Sequence, residues 1–242
     1  MINSTLALLI SSIAMIFFGY FAFLARTDYF SVIPMLLLAL PTYSDLIRTN
    51  FKKGILIIIV LSVYAAMIEA LSILTSFPYG SFVYNKQLGY KLFDVVPWTV
   101  GFGWAPLVIG CFTLGIWQFK NRYNQFIFGV LFLVSADLVL DPGAVLMRFW
   151  TWENPGIYYG IPFSNYLGWL LSSVIGGFLY YYIFTKTEIL KLSKLSVLTL
   201  ALGNAFWIGV TYSNSYWIPC LVGCLMQILI IWTTHIKSKQ KV

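Results

Sequence analysis

Residues 54–75 read G-I-L-I-I-I-V-L-S-V-Y-A-A-M-I-E-A-L-S-I-L-T. The run holds no proline and a single charge, Glu69. A bilayer-crossing helix needs about 20 predominantly apolar residues, so this stretch is a complete span by itself. Lys52 and Lys53 precede it, and Phe77-Pro78 follows it. Comparable apolar runs lie outward on both sides, at 5–25, 30–48, 95–117, 124–142, 160–184, 195–212 and 216–235. That makes eight in all. The last two are parted only by Ser213-Asn214-Ser215; merged into one re-entrant element, they would bring the count to seven. The first run has neither a basic leading segment nor a small-residue cleavage site, so it reads as a retained helix.

Composition agrees with a membrane protein. Charged residues make up 10% of the chain, against about 25% in soluble domains. Apolar residues make up 60%, and mean hydropathy is +0.84. These values exclude an ordinary soluble globule, and they exclude disorder, which requires low hydrophobicity and high charge. The runs fill the 242 residues and leave no space for a soluble domain. The expectation is an all-α, polytopic transmembrane helical bundle forming a single integral-membrane domain over residues 1–242. It would be a multi-pass protein of the cell membrane.

Loop charges orient the bundle. With the N-terminus in the cytoplasm, the inner connections hold Arg48, Lys52, Lys53, Lys120, Arg122, Lys186, Lys191, Lys194, Lys237, Lys239 and Lys241. The outer connections hold Arg26, Lys86, Lys91 and Arg148. Basic residues favour cytoplasmic loops, and 11 against 4 predicts eight spans with both termini cytoplasmic. The net charge of +7 is thus explained by topology. No basic face of the kind that binds nucleic acid is present. Tyr and Trp crowd the outer connections, as an interfacial belt would.

Cys111, Cys220 and Cys224 sit inside apolar segments and read as packing residues. His235 is the single histidine, which excludes the histidine-rich di-iron membrane oxygenases and desaturases. No metal or other cofactor is expected.

The acids carry the chemistry. Asp28, Glu153 and Glu188 fall in connections, Asp45 stands near Arg48 and reads as a salt bridge or cap, and Asp94 opens the fourth run. Glu69, Asp137 and Asp141 lie inside apolar runs and, on this topology, at one level near the outer face. An acid inside a membrane costs at least ~2.5–3.5 kcal/mol, so it marks a functional site by default. Asp137 and Asp141 are four apart and share a helix face. Pro142 follows directly and is expected to end or kink that helix. Three carboxyls in an apolar surround cannot all ionise, so one is expected to keep its proton and act as an acid. The alternative is structural pairing with Arg148, Lys86 or Lys91.

The connection from Phe77 to Trp98 is dense in aromatic residues, Gly and Pro. Its length suits a re-entrant or lid-like element over 77–98. Aromatic faces there, including Trp98, Trp104, Trp150, Trp152 and Trp169, could face a cation, although interfacial anchoring accounts for most of them singly.

Three blocks together resemble a known family: F-P-Y-G-S-F-V-Y with L-G-Y-K-L-F (77–84, 88–93), D-L-V-L-D-P (137–142) and Y-Y-G-I-P-F-S-N-Y-L-G-W (158–169). They are similar to the integral-membrane carotenoid hydratases of archaea and bacteria, the bisanhydrobacterioruberin hydratase type, recorded as "carotenoid biosynthesis protein". The blocks cover roughly 69–170. One departure is Tyr90, where the family pattern has proline. The resemblance implies addition of water across the terminal C1=C2 double bond of an acyclic carotenoid, a hydro-lyase reaction without a cofactor. Its substrate would reach the site from the lipid bilayer, with other carotenoid-pathway enzymes as further candidate partners. Such an alkene is a weak base and needs a strong acid in a dry pocket. The tertiary cation then needs electrostatic stabilisation and one water held by a base. Asp137 and Asp141 are the expected acid and water-orienting pair, in either order, with Glu69 as third member. Tyr79, Tyr84, Lys91, Trp98 and Asn165 are expected to line the pocket, Lys91 by pairing with an acid.

Two rivals share features of this pattern. A lycopene-type cyclase begins with the same protonation. A small proton-coupled transporter would also want intramembrane acids and broken helices, and the run 95–117 holds Pro97, Gly101, Gly103 and Pro106; it lacks a repeat and midplane acids.

Overall fold

A computed structural model describes residues 4–25 and 32–239. Arg26, Asp28 and Lys241, used above to orient the chain, lie outside the described residues. The apolar runs form α1 (Ser4–Ala25), α2 (Val32–Thr49), α3 (Phe51–Thr75), α4 (Val100–Gln118), α5 (Arg122–Leu146), α6 (Phe163–Ile183), α8 (Leu198–Ser213) and α9 (Trp217–Lys239). A short helix, α7 (Lys186–Lys191), precedes α8. The protein is therefore an all-helical, multi-pass membrane bundle. Seven of the helices are long and apolar enough to cross a membrane by length and composition. The eighth, α2, carries Asp45 and Arg48 and is not one of them. The last two runs stay separate helices, joined through Asn214–Tyr216.

In α3 the period of the sequence becomes a division of labour. Ile57, Leu61, Ala65, Ile68, Glu69 and Ser72 are buried, while Leu56, Ile59, Val63, Met67 and Leu74 are exposed. An exposed apolar stripe of that length belongs against lipid, so Glu69 points inward and away from it. Asn50 caps the helix by accepting the Lys53 N–H at 3.2 Å. The central element is α4, buried on every side from Trp104 to Trp117. At the α1–α8 crossing a Cβ on Gly19 would strike the Phe206 backbone, and one on Gly209 would strike Ile16. Small residues at that contact let two membrane helices meet backbone to backbone.

One end of the bundle gathers the basic connections. Lys53 Nζ bonds Glu188 at 2.8 Å, and Asn50 Nδ2 bonds the same carboxylate at 2.9 Å. Lys186 Nζ donates to the Lys120 carbonyl, Lys194 Nζ to Thr5 Oγ1 and Lys237 Nζ to the Leu190 carbonyl. Asp45 accepts two bonds of 2.8 Å from Ser193, one from its N–H and one from its hydroxyl. It is thus a cap rather than an Arg48 salt bridge.

The opposite end carries short strands the hydropathy pattern did not announce. β1 (Phe82–Tyr84) pairs antiparallel with β4 (Trp150–Trp152), and β2 (Lys91–Leu92) with β3 (Val96–Pro97). Consequently α4 starts at Val100 rather than near 95, and Asp94 sits exposed in a turn at φ 58°. A second correction concerns Pro142. It neither ends nor breaks α5, which continues to Leu146. Proline leaves the carbonyl four residues back without its usual N–H. That carbonyl, on Leu138, accepts the Tyr158 hydroxyl at 3.0 Å instead.

Candidate active site

The inward stripe of α3 delivers Glu69, and α5 delivers Asp137 and Asp141 one turn apart. The first turn of α6 brings Asn165. All four side chains belong to buried residues, the two aspartates each 1% exposed. Asn165 Nδ2 donates to Asp137 Oδ2 at 2.7 Å and to Asp141 Oδ2 at 2.6 Å. One amide nitrogen therefore ties the two carboxyls together. Two carboxylates so placed cannot both be charged at tolerable cost, and such pairs hold a proton between them.

The pair is not symmetric. Trp150 Nε1 donates to Asp141 Oδ1 at 2.6 Å, so both Asp141 oxygens have donors. Asp137 Oδ1 is buried with no hydrogen-bond partner within the protein. Donors stabilise the ionised form of a carboxyl, and Asp141 has more of them than Asp137.

The β1–β4 register explains the second wall. Tyr84 lies opposite Trp150, and Phe82 opposite Trp152. The Tyr84 hydroxyl is near enough to Glu69 to feel its charge, and the Tyr84 and Trp150 rings meet edge to face at 5.7 Å. Glu69 is near enough to both aspartates to feel their charge. Tyr79 is held between α3 and α6, its N–H on Ser72 Oγ and its carbonyl on Ser164 Oγ. Burial first, and then the neighbouring Glu69, push the Tyr79 and Tyr84 hydroxyls well above the ordinary tyrosine range. Both stay protonated.

Buried hydrogen-bonding atoms normally have partners. Among the described residues several here have none: the hydroxyls of Tyr64, Tyr79 and Tyr166, and the indole N–H groups of Trp104 and Trp152. Of these, Tyr79 and Tyr166 stand near enough to Asp137 to feel its charge.

The expected residues divide. Glu69, Asp137, Asp141, Tyr79, Tyr84 and Asn165 come together. Lys91 and Trp98 do not. Lys91 sits in β2 opposite Pro97, and among the described residues none of the three acids forms an ion pair. Trp98 packs its ring edge to face on Phe102 at 5.7 Å and is 39% exposed. Trp150 as a hydrogen-bond donor was not anticipated. The signal lay in W-T-W at 150–152, where alternation on a strand sends both indoles to one face. Among the described residues no group of three or more His, Cys, Asp or Glu could hold a metal ion.

Comparison with known proteins bears on this arrangement. The sequence model for carotenoid biosynthesis proteins matches residues 26–230. The chain is also 29% identical over 217 residues to bisanhydrobacterioruberin hydratase of the archaeon Haloarcula japonica, covering 87% of this chain and 74% of that one. No solved structure matches it.

Proposed function

The chain belongs to the carotenoid biosynthesis protein family, and from that premise we propose that it is a carotenoid hydratase. It adds water across the terminal C1=C2 double bond of an acyclic carotenoid and gives a tertiary alcohol. The observation that carries this reading is the asymmetric Asp137–Asp141 pair bridged by Asn165.

Protonated Asp137 gives its Oδ1 proton to C2, and the electron pair of the double bond forms the new C–H bond. C1 is left as a tertiary cation. The Asp141 carboxylate and the aromatic faces of Tyr84 and Trp150 stabilise it. A water beside Asp141 adds its oxygen to C1 while its proton passes to the Asp141 carboxylate. Proton transfer back to Asp137 resets the pair. One water is consumed, no electrons are gained or lost, and the cycle requires no cofactor. Glu69, beside Tyr84, sets the charge of the surround.

The substrate enters from the bilayer, and the connection 77–98 acts as the lid that closes the mouth. The protein resides in the cell membrane with the basic end of the bundle in the cytoplasm. The test is pigment mass spectrometry in a bacterial host making an acyclic carotenoid, against a vector control. A product heavier by one or two waters supports the hydratase. Unchanged mass with absorption at shorter wavelength makes the enzyme a cyclase. Unchanged pigment, with the protein present in the membrane, overturns the proposal.

A further inference from the structure

A second space in the bundle, on another face of α5, contains none of the three acids. It is an apolar cavity of about 680 Å³ between α1, α2, α4, α5 and α8. Its volume falls within the ~300–1,000 Å³ of small-molecule sites. Phe102, Phe149, Phe206 and Trp207 put aromatic faces on it. Its hydroxyl, on Thr199, is already bonded to the Leu38 carbonyl, and the wall is otherwise almost wholly apolar. Two wall residues adjoin residues of the acid site along the chain: Leu140 precedes Asp141, and Phe149 precedes Trp150, which donates to Asp141.

The glycines of the wall say what the space is for. A glycine weakens a helix relative to alanine and is normally kept where a neighbour presses close, as Gly209 is by Ile16. Gly203 lies on α8, lines the cavity, and a Cβ added there would meet nothing within 4 Å. Gly103, on α4 across the cavity, would meet only Met35 Sδ, at 3.6 Å. Among the described residues no protein atom needs the room that these two leave.

We propose that this cavity holds the polyene body of the carotenoid whose end reacts at Asp137 and Asp141. The inference rests on the hydratase reading. A rigid conjugated chain without polar atoms fits a wall of aromatic faces and methionines. Lying there, it presents its end past Leu140 and Phe149 to the pair. Gly203 is a positioning residue that sets the clearance for that chain.

The test fills the cavity from Gly203. Gly203→Ala, Gly203→Leu and Gly203→Phe are expressed in the carotenoid-producing host. Hydrated product, protein in the membrane, melting temperature, and pigment and phospholipid retained by the purified protein are measured. The alanine variant, the smallest step of the series, should lose least. The leucine and phenylalanine variants should lose about tenfold or more of both product and retained pigment, at unchanged protein level and melting temperature. Should Gly203→Phe fail to accumulate, Gly203→Leu and Gly103→Val are scored in the same way. Product and pigment within about twofold of wild type in the filled variants would overturn the assignment. So would loss of bound phospholipid with pigment kept, which would make the cavity a lipid site. A wild-type protein that hydrates nothing fails the hydratase reading instead, while retained pigment across the series still scores the cavity.

Discussion

Asn165 Nδ2 has two hydrogens and spends one on each aspartate, so a single side chain fixes the spacing of the two acids. Asp141 has a further donor in Trp150, and Asp137 has none on Oδ1. From that difference the consequences of substitution follow. On the proposed mechanism Asp137→Asn removes the proton donor and Asp141→Asn the base. General acid–base groups contribute about 100- to 10,000-fold, so each variant should lose that much hydrated pigment while still reaching the membrane. Normal pigment in both would sink the site. Trp150→Phe keeps the ring and deletes the N–H. A hydrogen bond to a charged group is worth about 1.5–3 kcal/mol, so turnover should fall about 10- to 100-fold. Trp150→His, which restores a ring N–H, should recover part of it; equal loss in both variants would leave Trp150 a packing residue. The acid pair was legible in the sequence because i, i+4 spacing is local. Asn165 was legible only as a polar residue at the head of an apolar run. Trp150 was not, because its role depends on β1 meeting β4 across more than sixty residues of chain.

At the scale of elements, α5 shows how a proline is carried inside a span. Pro142 deprives the Leu138 carbonyl of its helical donor, and Tyr158, from the connection after β4, supplies a hydroxyl. An unsatisfied buried carbonyl costs about 1–3 kcal/mol, so Tyr158→Phe should destabilise by that amount. Pro142→Ala restores an N–H at the right position, and in that background Tyr158→Phe should cost much less. Thermal melts of the four proteins in a double-mutant cycle check this; additive costs would break the link. Hydropathy placed the helices correctly but set the end of α5 at the proline, because the satisfying partner lies in a distant loop. The strands were missed for a related reason: two- and three-residue pairings in a tyrosine- and tryptophan-rich loop look like an interfacial belt in sequence. At the other end, α7 is fixed to α3 through Glu188. Its partial burial works to raise its pKa, but Lys53, the Thr185 N–H and hydroxyl, and Asn50 outweigh this and hold it down to about 2. A lowered folded-state value gives stability that is complete above the ordinary value of 4.5. That stability is lost as pH falls toward about 2. Glu188→Gln should therefore cost about 1 kcal/mol near neutral pH, and its melting deficit should close on titration below about pH 4. A deficit unchanged by acid would mean that packing, not charge, holds α7.

Across the whole molecule the two ends differ in chemistry, and that difference decides how many times the chain crosses the bilayer. Thr5 at the start of α1 and Lys237 near the end of α9 each bond to the segment around α7. The α2–α3 junction at Asn50 bonds to it as well. At the other end of α2, Val32 lies close to Gly89 in the connection that caps the acid site. Helix α2 thus runs the length of the bundle, although its composition alone does not mark it as a span. If α2 also crosses, the eight spans expected from the sequence would leave both ends of the chain on one side. Lysine and arginine are concentrated at that end, which the positive-inside rule places in the cytoplasm. Reporter fusions at Asn3 and Lys241 should both read cytoplasmic, and one in the connection between α1 and α2 should read external. Opposite sides at the two termini would remove the eight-crossing topology. A carotenoid is about as long as the bilayer is thick, so its reactive end lies near an interface. The acid pair must therefore sit near one face, where water is available, with the polyene cavity extending inward from it. Reversing the topology moves the reaction to the other face without changing this geometry, so the fusions decide which side supplies the water that the reaction consumes.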